Sequence, residues 1–142
     1  MIHIVYFSNV TENTHRFINK LNWGSITRIP VKGDFEGELP QSFVLICPSY
    51  GSKSSGHIPP QVKKFLSNPE NRQKCVGVIG TGNRNFGEEY AMAADVIAEK
   101  LNIPTLYRLE LSGTTADVEK VKEGLNFFEK YLKQNKKLIK NK

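Results

Sequence analysis

The sequence predicts an α/β domain, a five-stranded parallel sheet with helices on both faces. Three observations carry that prediction. Five short apolar runs, at 2–7, 25–29, 43–47, 76–80 and 105–111, mostly alternate with segments of helical period. The central runs are apolar nearly throughout instead of alternating, as strands buried on both faces are. Polar loops follow the first, third and fourth runs, all at what would be the carboxyl edge of one sheet.

The first run, 2–7, reads as a central strand. A helix follows at 14–21 with Phe17, Ile18 and Leu21 on one face, and it ends at Asn22-Trp23-Gly24, where Trp23 is expected to pack. The second strand, 25–29, is short. Residues 30–42, with Gly33, Gly37 and Pro40, are too glycine-rich for a helix and form an irregular crossover. The third strand, 43–47, leads through a Gly/Ser-rich loop to a helix whose apolar face is Val62, Phe65 and Leu66. The fourth strand, 76–80, breaks into polar residues 81–87, and a third helix is expected over 88–101, stopping ahead of Pro104. After the fifth strand, 105–111, a long helix carries Val118, Val121, Leu125, Phe128 and Leu132 at spacings of three and four. Thr114 and Asp117 are spaced as a capping pair at its start.

At 142 residues, with 39% hydrophobic and 24% charged, the chain is an ordinary single globular domain. No apolar run nears the roughly 20 residues that cross a bilayer. The first strand begins at once, without a basic leader or cleavage site, so a cytoplasmic protein without membrane contact is expected. The net charge of +6 would suit nucleic acid, but five lysines and no acid fall in 133–142. That segment reads as a basic, disordered tail on a domain spanning 1–132, and no nucleic-acid partner is expected. Cys47 and Cys75 lie in apolar runs with no C-x-x-C and no Cys/His cluster, so buried reduced thiols and no metal site are expected.

The first loop brings Ser8, Asn9, Thr11, Asn13 and Thr14 to a helix start, where unpaired backbone N–H groups and the helix dipole favour an anion. It has no Lys before its last Ser/Thr, no glycine triplet and no cysteine. A triphosphate P-loop, a dinucleotide fingerprint and a thiolate phosphatase loop are thereby excluded. A phosphate that is held and not cleaved suits it. Alone, the loop is equally open to a plain N-cap reading. The second loop, Pro48-Ser49-Tyr50-Gly51, lets backbone approach a flat ligand, and the third carries Gly82, Asn83, Asn85, Phe86 and Gly87. Tyr50 and Phe86 would stack on the two faces of a planar ring. A phosphate at one end and a ring at the other is the outline of FMN.

Val5-Tyr6-Phe7-Ser8 with Glu12-Asn13-Thr14 and Arg16-Phe17, then Pro48-Ser49-Tyr50-Gly51, resemble the flavodoxin superfamily. Gly82-Asn83-Arg84-Asn85-Phe86-Gly87, Tyr107-Arg108-Leu109-Glu110-Leu111 and Ser112-Gly113-Thr114 with Asp117 resemble the NrdI flavoproteins within it. The resemblance implies a flavodoxin-like three-layer sandwich of strand order 2-1-3-4-5 and non-covalent FMN. It also implies a role with class Ib ribonucleotide reductase. There the reduced flavin, recharged by an unidentified reducing partner, meets dioxygen and supplies superoxide or a peroxide-level oxidant. That oxidant assembles the dimanganese–tyrosyl radical cofactor of the reductase small subunit. A general flavodoxin electron carrier is the alternative.

The chain departs from the common flavodoxin loop at Glu12, where glycine usually stands, and the Glu12 carboxylate is expected to face solvent. No acid occurs from 39 to 69, while Lys53, His57, Lys63 and Lys64 do, with Arg84 in the opposite loop. Cations there would stabilise the anionic, fully reduced flavin, so a less negative final reduction step is expected. No side chain is assigned as general acid or base, because the flavin carries the chemistry. The peptide at Gly51 is expected to adjust its hydrogen bond to the flavin.

Overall fold

Five strands form one all-parallel sheet in the order β2-β1-β3-β4-β5. The computed structural model describes residues 1–50, 57–83 and 90–135. Along the chain these give β1 (His3–Tyr6), α1 (Asn13–Leu21), β2 (Ile26–Arg28) and β3 (Phe43–Pro48). There follow α2 (Pro60–Ser67), α3 (Pro69–Lys74), β4 (Cys75–Gly82), α4 (Met92–Leu101), β5 (Thr105–Glu110) and α5 (Thr115–Gln134).

Successive side chains of a strand point to opposite faces, and the apolar runs supply both. Ile4, Tyr6, Val44, Ile46 and Ile79 join Phe17 and Leu21 of α1 and Val121 and Leu125 of α5 in one core. Val5, Leu45, Cys47 and Val78 join Phe65 of α2 and Ala94 and Ile97 of α4 in the other. Burying each Ile, Leu or Phe is worth about 1.5–3 kcal/mol. Cys47 and Cys75 are buried free thiols within the second core. Trp23 packs as expected, its indole N–H donating to Ile2 O at 2.7 Å.

One element and three boundaries depart from the sequence reading. α3 was not foreseen. Asn68 caps it by accepting from Glu70 N at 2.9 Å, with Pro69 at the first helical position, so Asn-Pro-Glu was the signal. β4 continues past Gly80 through Thr81 to Gly82, because both still pair with β5. α4 begins only at Met92, since Ala91 adopts φ 55° and turns the chain there. α5 runs to Gln134, two residues past the expected end of the domain, while 136–142 lie outside the described residues.

The order reverses between β1 and β3: from β1 the chain goes outward to β2, then crosses back to β3 on the other side. The carboxyl ends of β1 and β3 therefore open a crevice between divergent loops.

Candidate functional site

β1 delivers the first loop into this crevice. Ser8 is buried, and its Oγ accepts from His15 N at 3.1 Å in the first turn of α1. Asn9 closes a tight turn, its Oδ1 accepting from Thr11 N at 3.2 Å and Thr11 Oγ1 at 2.5 Å. Arg16 ties the loop from outside, donating to Thr11 O at 2.8 Å and Asn13 Oδ1 at 2.9 Å. Among the described residues, no acceptor meets the N–H groups of Asn13 and Thr14. Two free amide donors, the Ser8 hydroxyl and a helix dipole are the donor set that a phosphate requires. The site fits such a group.

Three side chains tie the three loops together. Thr14 and Thr81 are both buried, their hydroxyls 2.9 Å apart, joining the start of α1 to the end of β4. Ser49 N donates to Thr81 O at 3.1 Å, and Ser49 Oγ accepts from Ala93 N at 3.0 Å. Thr81 was not among the expected site residues. Its signal was a hydroxyl at the end of an otherwise apolar run.

Pro48 ends β3 as a buried residue, and Tyr50 beside it is 52% exposed, a large aromatic left open at the crevice rim. Gly82 has no space for a side chain, since a Cβ would sit 2.8 Å from Ala91 N, and Asn83 follows it, partly buried. Gly51, Asn85, Phe86 and Gly87, expected to complete the ring site, lie outside the described residues, as do Lys53 and Arg84.

The charges near the crevice differ from expectation. Glu12 adopts φ 61°, the left-handed conformation that explains why glycine usually stands there. Its carboxylate stays partly exposed, as expected, but is paired there with Arg28 at 2.6 Å. Arg28 is the register partner of Tyr6 across β1 and β2, and its guanidinium lies 5.6 Å from the centre of the Tyr6 ring. The Tyr6 hydroxyl pairs with His15 Nδ1 at 2.7 Å. Burial pushes the Tyr6 phenol up, against the pull of Arg28. Lys64 forms an ion pair with Asp34 of the crossover, so an acid outside 39–69 engages one of the expected cations. His57, counted among the cations near the ring, is buried with φ 59°, and its carbonyl accepts from Tyr50 N at 2.6 Å.

The match to known proteins then decides the family. A family described as NrdI Flavodoxin like matches residues 5–123. The chain belongs to the NrdI flavodoxin-like family. It is 49% identical over 132 residues to Protein NrdI of Mycoplasma pneumoniae, covering 90% of this chain and 86% of that one. With Protein NrdI of Escherichia coli (strain E24377A) it shares 45% over 136 residues, covering 95% and 99%. The fold matches oxidised Flavodoxin 2 from Bacillus cereus with TM-score 0.61 at 16% identity, over 92% of this chain and 99% of that one. FMN is the cofactor that goes with this NrdI flavodoxin-like membership. Among the described residues no helix is long and apolar enough to cross a membrane.

Proposed function

We propose that this protein is the FMN-dependent redox partner of a class Ib ribonucleotide reductase. In this reading it supplies electrons, as a reduced-oxygen oxidant, for assembly or maintenance of the reductase's dimanganese–tyrosyl radical cofactor. The observation that carries the reading is membership of the NrdI family together with a donor-rich crevice at the β1/β3 reversal. Bound FMN would supply one- and two-electron transfer, including transfer to dioxygen.

The chain's own residues bind and orient. Asn13 and Thr14 offer N–H groups to the phosphate, with Ser8 beside them, while Asn9 and Thr11 shape the turn. Pro48, Ser49 and Tyr50 would line one side of the flavin ring, and Gly82 and Asn83 the other. Gly51, Asn85, Phe86 and Gly87, which the same reading assigns to the ring, lie outside the described residues. The hydrogen-bonded pair Thr14–Thr81 ties the proposed phosphate end, at the start of α1, to the end of β4. A cytoplasmic protein whose partners are the reductase small subunit, a flavin reductase and dioxygen completes the reading.

The test is an anaerobic reductive titration of the FMN-loaded protein followed by visible absorbance. Reduction running readily to the two-electron level, with a final step less negative than a carrier flavodoxin's, is expected. A very negative final step with a long-lived one-electron level contradicts this reading and returns the general electron carrier.

A further inference from the structure

We propose that Arg28 is a positioning residue that keeps the phosphate-binding loop open by holding the Glu12 carboxylate away from it. The proposal rests on the flavin reading above. Glu12 immediately precedes α1, and its own carbonyl accepts the first helical bond, from Arg16 N at 2.9 Å. A carboxylate at that position is itself the anion that a helix N-terminus attracts. Left free, it would cap the N–H groups of Asn13 and Thr14, or repel a phosphate brought to them. The left-handed backbone at φ 61° and the 2.6 Å pair with Arg28 send it instead toward β2.

Arg28 is itself held. Its register opposite Tyr6, the ring beneath its guanidinium, and His15 Nδ1 at 3.3 Å from Nη1 fix the head of a long side chain. The restraint thus runs from β2 through Arg28 to the one acidic side chain of the phosphate loop. Its consequence is selectivity. The cost of losing it falls on the phosphate and not on the isoalloxazine ring, because Tyr50 follows β3 and Gly82 ends β4, away from the Glu12 loop and β2.

Flavin fluorescence quenching with FMN and with riboflavin, which lacks the phosphate, reads this directly. Arg28→Ala is expected to weaken FMN binding by about tenfold or more while leaving riboflavin affinity unchanged. Adding Glu12→Gly, which also suits the backbone at that position, is expected to bring FMN affinity back to within about threefold of the parent. Arg28→Gln gives the same comparison if the alanine variant does not fold. Unchanged FMN affinity, equal loss for both flavins, or no recovery in the double variant overturns the proposal. Failure of the parent protein to bind FMN is a different result, and it overturns the flavin reading itself.

Discussion

Glu12 shows what a single residue could and could not disclose. Its sequence position marked it as a departure from a glycine, and the φ of 61° shows why glycine is the usual occupant. Its destination was not legible, because the register that sets Arg28 beside Tyr6 is fixed by pairing between strands 22 residues apart in sequence. Thr81 was missed for a related reason: only the fold brings it within 2.9 Å of Thr14. The cysteines were the easier case. Cys47 and Cys75 are each fully buried, and burial pushes the Cys47 thiol far up, with Cys75 adding to the shift. Only the thiolate reacts with a disulfide reagent. The folded protein is expected to release no chromophore from an aromatic disulfide, and both thiols should titrate once it is unfolded. Rapid reaction of either thiol in the folded protein would contradict this burial.

At the scale of elements, the strands were legible because both cores draw on uninterrupted apolar runs. The helix starts were less so. α4 opens late because its first turn packs onto β4 where glycines leave room: a Cβ on Gly80 would meet Ala94 Cβ at 2.8 Å. That contact is tertiary and leaves no local mark. The start of α5 was readable from Thr114 and Asp117 alone. Asp117 N donates to Thr114 Oγ1 at 3.1 Å, and Thr114 N donates to Asp117 Oδ2 at 2.8 Å. Burial works to raise the Asp117 carboxyl, but bonds from the Tyr107 hydroxyl, at 2.6 Å, and from Thr114 hold it below its ordinary value. A carboxyl depressed by folding stabilises the fold above its unfolded pKa, near 4, and that stability is lost as the pH falls through the folded value. Thr114→Ala should cost about 1 kcal/mol at neutral pH. Asp117→Asn should flatten the loss of melting temperature between about pH 6 and about pH 3. Parallel losses in parent and Asp117→Asn protein would show that this carboxylate contributes nothing to the pH dependence.

For the whole molecule, strand order and loop chemistry agree on one edge. The reversal between β1 and β3 places the first and second loops on either side of a crevice, and β4 brings Thr81 to it. The order 2-1-3-4-5 came from family resemblance, since hydrophobic pattern alone names strands without ranking them across a sheet. The proposed phosphate end was readable as a helix start bearing hydroxyls. The proposed ring end rests on Tyr50, 52% exposed, and on residues outside those described. The proposed function depends on a second protein, so the measurement that tests it most directly includes one. The reduced, FMN-loaded protein is mixed with a manganese(II)-loaded class Ib reductase small subunit, air is admitted, and the tyrosyl radical is followed by electron paramagnetic resonance. Radical signal and reductase activity rising with added protein, well above the subunit with free reduced FMN, is the expected result. A radical yield no greater than that control would contradict the proposed function.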